Sequence, residues 1–160
     1  MAKFSHLDKE GNPAMVDVGA KRITRRSARA RAIVQLPPEV WQQLESDELH
    51  TQKGPVFQTA ILAGIMGAKK TGELIPLCHP LGLDNCTVDI RTEEGAVIVE
   101  CTASLSAKTG VEMEALTGAT IAALTIYDMC KAFSHDIVIR EVKLMEKTGG
   151  KRNFKRTEDH

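Results

Sequence analysis

Residues 85–103, NCTVDIRTEEGAVIVECTA, decide the fold class of this chain. Six apolar residues alternate with other residues in its two halves: Cys86, Val88, Ile90, Val97, Val99 and Cys101. A period of two is typical of a strand that buries one face. The Glu-Glu-Gly sequence at residues 93–95 lies between the halves and is typical of a turn. The stretch therefore predicts two antiparallel strands, at residues 85–91 and 96–103.

The pattern on both sides of this hairpin alternates between strand and helix. Residues 28–36 again have a period of two and predict a strand, whereas residues 55–70 and 111–133 carry apolar residues at helical spacing. Residues 136–146 predict a last strand. The order strand, helix, two strands, helix, strand is that of the split βαβ motif. We therefore expect one α+β domain over residues 1–160, with a ferredoxin-like antiparallel sheet packed against helices.

Two features qualify this outline. The helix predicted at residues 55–70 contains Gly64 and Gly67, and each glycine weakens a helix by about 1 kcal/mol relative to Ala. Two glycines so close together indicate that another element approaches the helix backbone, and a partner subunit is one candidate. The two ends of the chain, residues 1–14 and 149–160, are expected to be mobile.

Composition excludes several classes of protein. The 160 residues include 21 Lys and Arg and 21 Asp and Glu, so net charge gives no reason to expect nucleic-acid or membrane binding. No apolar run is long enough to span a bilayer. The four cysteines are scattered without a CxxC pair, which predicts free thiols, a reducing compartment and no zinc site. The polar residues 1–10 do not resemble a signal peptide, so we expect a cytoplasmic protein.

The charge is uneven between residues 21 and 31. Six basic residues occur there without an acidic one: Lys21, Arg22, Arg25, Arg26, Arg29 and Arg31. Composition alone favours a solvated strand face. The alternative is a site for an anionic ligand such as a phosphate.

Three basic or acidic side chains are candidates for acid–base chemistry. Asp128 and Lys131 are three residues apart near the end of the long helix, so they are neighbours on its surface. Their spacing fits an exposed ion pair, and it also fits a coupled acid–base pair. Lys53 precedes a predicted helix, where backbone N–H groups favour anions, although it could equally be an ordinary loop lysine.

Other candidates lie in a loop and at a helix start. His79 sits between two prolines, in a stiff loop that could present it as a substrate contact or proton carrier. The alternatives are a histidine satisfied by backbone hydrogen bonds and, more weakly, a metal ligand. Glu112 and Glu114 occupy the first turn of the long helix, where compensation of the helix dipole explains acidic residues without further function.

The combination of segments is more specific than any single residue. Five segments occur in order: MVDV at 15–18, KG at 53–54, LIPLCHPL at 74–81, KTGVEMEALT at 108–117 and AALTIYDMCK at 122–131. Together they resemble the cyclic pyranopterin monophosphate synthase family of molybdenum cofactor biosynthesis, from about residue 12 to residue 151. Pro55 departs from the resemblance, which leads us to expect an acidic residue there, and this concerns the helix start more than the chemistry.

The resemblance implies a lyase without a cofactor or a metal. Its substrate would be a cyclised GTP derivative, (8S)-3′,8-cyclo-7,8-dihydroguanosine 5′-triphosphate, which is converted to cyclic pyranopterin monophosphate with release of pyrophosphate by general acid–base catalysis. The resemblance implies catalytic roles for Lys53, Asp128 and Lys131. The residues expected to contact the substrate are Leu77, Cys78, His79, Glu112, Met113 and Glu114, with Arg26 as a weaker candidate for the triphosphate.

The spacing along the long helix suggests that the site is shared between subunits. Lys131 follows Glu114 by 17 positions, or about 25 Å at the rise of an α-helix. One small substrate cannot easily reach both ends, so we expect a homo-oligomer with sites at a dimer interface, and the resemblance adds a hexamer built from three dimers. The alternative is that Glu114 only caps its helix and that a monomer holds the whole site.

A non-catalytic module that senses a ligand or binds RNA is an alternative of another class. RNA binding by such a sheet needs aromatic side chains on the central strands. Residues 85–91 and 96–103 contain none, which counts against RNA, whereas a sensor remains open.

Overall fold

The computed structural model describes residues 6–157. The helices are α1 (Pro38–Trp41), α2 (Val56–Lys69), α3 (Thr71–Leu74) and α4 (Glu112–Cys130). The strands are β1 (Thr24–Gln35), β2 (Leu44–Glu45), β3 (Glu48–Thr51), β4 (Gly54–Pro55), β5 (Asn85–Glu93), β6 (Ala96–Ala107), β7 (Val138–Thr148) and β8 (Phe154–Lys155). The long elements follow the order that the sequence predicts, so the α+β class is confirmed.

The main sheet has five strands in the order β5-β6-β1-β7-β8, and the paired strands are antiparallel. The predicted hairpin is present as β5 and β6, and it lies at one edge of the sheet. Both strands continue beyond the predicted last residues, 91 and 103. β1 lies at the centre, where Ala30 pairs with Cys101 of β6 and with Leu144 of β7. The pairing with β7 shifts register after Arg29 and again after Ile33.

One face of the sheet forms the core with α2 and α4. Ala28, Ala30 and Ala32 of β1 are almost completely buried on this face. Facing them, α4 contributes mostly small buried residues: Ala115, Ala119, Ala122 and Ala123. Small side chains on both sides allow the helix to lie close to the strands, and the buried apolar surface stabilises the fold.

The opposite face carries a partly buried charge network. Glu100 of β6 is Cα partner to Arg31 of β1, whose Nη2 lies 2.8 Å from the Glu100 carboxylate. Arg29 contacts the same carboxylate at 2.7 Å and Arg91 at 3.2 Å. Burial opposes ionisation of Glu100, but the hydrogen bond from Arg31 and the charges of Arg29 and Arg91 lower its pKa overall. Two arginines of the basic stretch are therefore neutralised within the protein.

The glycines of α2 face α4 of the same chain. A Cβ on Gly64 would lie 2.9 Å from the carbonyl oxygen of Gly118, and one on Gly67 would lie 2.7 Å from Ile121 Cγ1. The expectation that an element approaches this backbone is confirmed. The suggestion that this face meets a partner subunit is wrong, because α4 already fills the space.

The sequence did not predict the small sheet β2-β3-β4. Its strands have two to four residues, too few to show a period. Ser46 and Asp47 connect β2 to β3 with φ of 51° and 61°, as in the turns that favour tight hairpins. This sheet places residues 52–53 at a hairpin tip beside the start of α2.

The structure describes parts of both chain ends, and the expectation that they are mobile stays a prediction. Of the two segments expected to be mobile, residues 1–5 and 158–160 lie outside the described residues. Within the C-terminal segment, β8 pairs with β7.

α4 ends at Cys130, three residues before the predicted end, with Lys131 at its C-cap. Among the described residues, no helix combines the length and apolar character that a membrane span requires.

Candidate active site

The three predicted catalytic residues form one cluster at the C-terminal end of α4. Lys53 comes from the β3–β4 hairpin tip, and its Nζ lies 2.9 Å from Oδ2 of Asp128. Lys131 Nζ lies 2.8 Å from Oδ1 of the same carboxylate. The Asp128–Lys131 contact follows from helical spacing, whereas Lys53 reaches the cluster only through the fold.

Mutual pairing keeps this cluster charged. The hydrogen bond from Lys131, followed by that from Lys53, lowers the pKa of Asp128 to about 2. The same contact raises the pKa of Lys131. All three side chains are about half exposed. The lowering of the Lys131 pKa by burial is therefore outweighed by the contact with Asp128. At neutral pH this favours the protonated ammonium of Lys131, the form that suits a proton donor or an anion ligand rather than a base.

A cavity of about 530 Å³ adjoins this cluster. Its wall includes all three candidates together with the apolar Met129 and Phe133. A cavity with several convergent polar groups and an apolar side is typical of a small-molecule site.

Six other candidates line a second cavity, of about 470 Å³, at the opposite end of α4: Leu77, Cys78, His79, Glu112, Met113 and Glu114. The loop before β5 supplies the first three, and the first turn of α4 supplies the others. His79 Nε2 lies 2.6 Å from the carbonyl oxygen of Val16, so Nε2 donates and the neutral ring presents Nδ1 as an acceptor. The N-terminal segment thereby orients the imidazole.

Glu114 is a buried carboxyl group in this second cavity, with only 3% of its surface exposed. Burial and, to a smaller extent, the charge of Glu112 raise the pKa of Glu114. Burial also raises the pKa of the Cys78 thiol, and the charge of Glu114 adds to that effect. Burial thus shifts both groups towards their protonated forms.

Arg26 lines a third cavity that shares walls with the second, including Lys21 and Glu112. Five cationic side chains line it: Lys21, Arg26, Lys147, Lys151 and Arg152. Arg26 Nη2 donates to the carbonyl oxygen of Lys108 at 3.3 Å, while its buried Nε has no partner among the described residues. Lys147 Nζ lies 2.8 Å from Oε1 of Glu112. Burial opposes ionisation of Glu112, but this bond and the charges of Lys147 and Arg26 lower its pKa overall.

The model of the MoaC family matches residues 15–150. The chain belongs to the MoaC family. The cyclic pyranopterin monophosphate synthase of Xanthomonas campestris pv. campestris (strain B100) is 50% identical over 96% of this chain and 93% of that protein.

Two longer relatives contain a matching part. Molybdenum cofactor biosynthesis protein 1 of Dictyostelium discoideum is 48% identical over 93% of this chain, which spans 26% of that protein. The molybdenum cofactor biosynthesis bifunctional protein of Synechocystis sp. (strain ATCC 27184 / PCC 6803 / Kazusa) is 47% identical over 96% of this chain and 46% of its own length.

The MoaC-family chain does not bring all the predicted residues together. The cavity at the cluster of Lys53, Asp128 and Lys131 and the one at His79 share no wall residue among the described residues. They lie at opposite ends of α4, whose 19 residues span about 28 Å. Arg26 and Glu112 line cavities at the same end of α4 as His79 and Glu114. Lys53 lines the cavity at the other end with Asp128 and Lys131.

The sequence analysis did not include Lys147, which lines the third cavity, among the candidates. A period of two carried one residue past the predicted strand end at residue 146 would have placed Lys147 on the face of the buried Met145. Its pairing with Ala28 is visible only in the structure. Arg26 also shares the face of Ala28, whereas Arg29 and Arg31 point to the other side. Alternation along β1 therefore separates the arginine that lines a cavity from those that bind Glu100.

Within residues 6–157, no group of three or more His, Cys, Asp and Glu side chains is arranged to hold a metal ion. All four cysteines are free thiols, and the nearest pair described, Cys86 and Cys101, has its sulfurs 3.8 Å apart.

Proposed function

We propose that this chain is a cyclic pyranopterin monophosphate synthase, converting the cyclised GTP derivative to cyclic pyranopterin monophosphate with release of pyrophosphate. The observation that carries the proposal is the cluster of Lys53, Asp128 and Lys131 beside a cavity. The names of the full-length relatives support the same activity.

The reaction requires stabilisation of a polyanion. The cavity around Arg26 and Lys147 suits the triphosphate, because it gathers five cationic side chains. Charge-assisted hydrogen bonds to phosphate oxygens are among the strongest in proteins. We assign Lys21 and Lys147 to this role together with Arg26.

The reaction also requires several proton transfers. Lys131, whose pKa is raised, and Glu114, whose burial favours the neutral acid, are the proposed donors. His79 Nδ1 is the proposed acceptor. Asp128, with a pKa of about 2, remains ionised and orients the two lysines rather than donating a proton.

We propose that the complete site forms between two subunits of a hexamer built from three dimers. The separation of Glu114 from Lys131, about 25 Å along α4, supports this arrangement. Leu62, Met66 and Leu124 support it independently, because these helix residues are more than half exposed and would be covered by a partner.

We further propose that the chain forms a single ferredoxin-like domain and that the protein is cytoplasmic. The ferredoxin-like assignment is supported by the β-α-β-β-α-β order of the long elements and by two helices on one face of an antiparallel sheet. A single domain is supported by one large core that joins β1, α2 and α4. Cytoplasmic location rests on the scattered free cysteines.

The decisive experiment measures pyrophosphate release from the cyclised GTP derivative. We expect Asp128→Asn and Lys131→Ala to lower kcat by about 10²- to 10⁴-fold, as for other acid–base residues. Asp136→Asn is the matched control, since Asp136 is exposed and lies outside the cavities described here. Near-normal turnover in folded Asp128 and Lys131 variants would contradict the role assignment. Binding without turnover by wild type would favour a sensor.

Subunit exchange tests the shared site. Glu114→Ala and Lys131→Ala proteins, each inactive alone, should recover part of the activity when their subunits are mixed, because some interfaces then carry both intact residues. Absence of recovery after proven exchange would contradict a shared site.

A further inference from the structure

α2 begins without a cap of its own. The residue at its N-cap is Pro55, and no side chain at that position accepts a bond from the first turn. The first turn also contains no acidic residue. The first backbone N–H groups of a helix have no partner within the helix, so an acceptor must come from elsewhere.

Glu48 supplies this acceptor from the start of β3. Its Oε1 accepts the N–H of Phe57 at 2.7 Å, and its Oε2 accepts the N–H of Gln58 at 3.2 Å. Oε1 also accepts the N–H of Leu49 at 2.8 Å. Phe57 and Gln58 are the second and third residues of α2, the positions that an N-cap side chain normally serves. The negative charge also interacts favourably with the helix dipole.

These bonds close the loop that carries Lys53. Between Glu48 and Phe57 the chain runs along β3, turns at residues 52–53 and returns along β4. The turn is further held by the bond from the Lys53 N–H to Thr51 Oγ1 at 3.1 Å. Lys53 then reaches from this tip to Asp128. The loop is therefore fixed at its base by Glu48 and at its tip by the ion pair.

Glu48 also lies close to the end of α4. Burial and, to a smaller extent, the charge of Glu48 raise the pKa of the Cys130 thiol to about 11. Cys130 is adjacent to Lys131 in the chain. The Glu48 carboxylate is therefore near enough to the end of α4 for its charge to act on Cys130.

We propose that Glu48 is a positioning residue that holds the Lys53 loop on α2 and so fixes the Lys53 ammonium against Asp128. The inference rests on the proposed function for the roles of Lys53 and Asp128. It also means that the start of α2 is occupied by a carboxylate of this chain and is not an open site for a substrate phosphate.

The first test compares Glu48→Gln with wild type in the intact oligomer. Gln keeps the size of the side chain but loses the charge and one acceptor oxygen. We expect kcat/KM to fall between about 10- and 100-fold, as for small displacements of catalytic groups. Glu45→Gln is the matched control, because Glu45 is exposed on β2 opposite Glu48, and it should leave kcat/KM unchanged.

A rescue variant separates capping from other roles of Glu48. Pro55→Asp places an acceptor at the N-cap, where it can bind the N–H groups of Phe57 or Gln58. In the Glu48→Gln background this change should restore most of the lost activity. Failure of Pro55→Asp to restore activity would show that Glu48 does not act through the start of α2.

A double-mutant cycle tests whether Glu48 acts through Lys53. In a Lys53→Met background, Glu48→Gln should cause no further loss of kcat/KM, since the group it positions is gone. A loss of the same size in both backgrounds would overturn the proposal.

Chemical labelling gives a readout that does not depend on turnover. Acetylation of Lys53 by an N-hydroxysuccinimide ester, followed by peptide mass spectrometry, should be several-fold faster in Glu48→Gln and normal again with Pro55→Asp. Unchanged Lys53 labelling in Glu48→Gln would overturn the proposal whatever the activity. Faster labelling of Lys53 with unchanged kcat/KM would show that Glu48 holds the loop but that this does not matter for catalysis, which overturns that component of the proposal. If wild type released no pyrophosphate, the proposed function would fail while labelling still decided the role of Glu48.

Discussion

Replacing Gly118 by Ala tests how closely α4 packs against β6 and α2. An added Cβ at Gly118 would lie 2.5 Å from Sγ of Cys101 and 3.1 Å from the carbonyl oxygen of Gly64. The first contact is far shorter than any normal packing distance, and the second involves backbone. The helix or the β6 side chain must therefore move to accommodate a single methyl group.

The expected cost follows from two opposing effects. Overpacking a dense core costs about 1–3 kcal/mol, and the severity of the sulfur contact places Gly118→Ala in the upper half of that range. Ala is the better helix former by about 1 kcal/mol, which offsets part of the cost. The net loss should be roughly 1–2 kcal/mol, which lowers Tm by about 2–8 °C for a chain of this size.

Thermal and urea unfolding of four variants provide the assay. Cys101→Ala removes the sulfur, so adding Gly118→Ala to it should cost less than about 0.5 kcal/mol and give a coupling of about 1 kcal/mol or more. Gly82→Ala is the control, because a Cβ there meets no atom within 4 Å among the described residues. The reasoning is refuted if Gly118→Ala costs the same with and without Cys101, or if it stabilises the wild-type protein.

Other predictions concern the buried carboxylates. Glu114→Gln should raise Tm above that of wild type by an amount that grows as pH rises above 4.5. The pKa of Glu114 is raised in the folded state, so its contribution to wild-type stability is fully present at low pH and is lost as the folded carboxyl group ionises. A difference in Tm that does not depend on pH would contradict this. Lys147→Met should cost about 1–3 kcal/mol by leaving Glu112 half buried without its cation, and much less in a Glu112→Gln background, as unfolding measurements can show. Glu100→Gln should destabilise by a similar amount, about 1–3 kcal/mol, because Arg31 loses a charged partner; equal stability would show that the network contributes nothing. Purified native protein should contain no stoichiometric zinc by elemental analysis.

Local pattern was sufficient for the long elements. Alternation over β1, β5 and β6 identified the strands and the residues that share a face, because successive side chains of a strand point to opposite faces of the sheet. The helical spacing of α4 predicted that Asp128 and Lys131 would be neighbours, and their Nζ–Oδ1 distance of 2.8 Å confirms it. These predictions succeeded because each depends on residues a few positions apart.

Local pattern failed for short or distant interactions. The strands of the small sheet are too short to show a period, and the turn at Ser46 and Asp47 lacks the glycine that usually marks such a conformation. Nothing local predicts that Glu48 caps a helix nine residues later, or that Lys147 pairs with Glu112 over 35 positions. Each requires elements that the fold brings together.

The sequence by itself determined the α+β class, the faces of its long strands and the identity of most candidate site residues. The tertiary structure alone decided how these residues group. It brought Lys53 to Asp128 across 75 positions, joined Arg26 and Lys147 through strand pairing, and kept both ends of α4 apart. The physical reason is that a helix or strand period reports only which way a side chain points, whereas the partner it meets depends on how the sheet and helices pack.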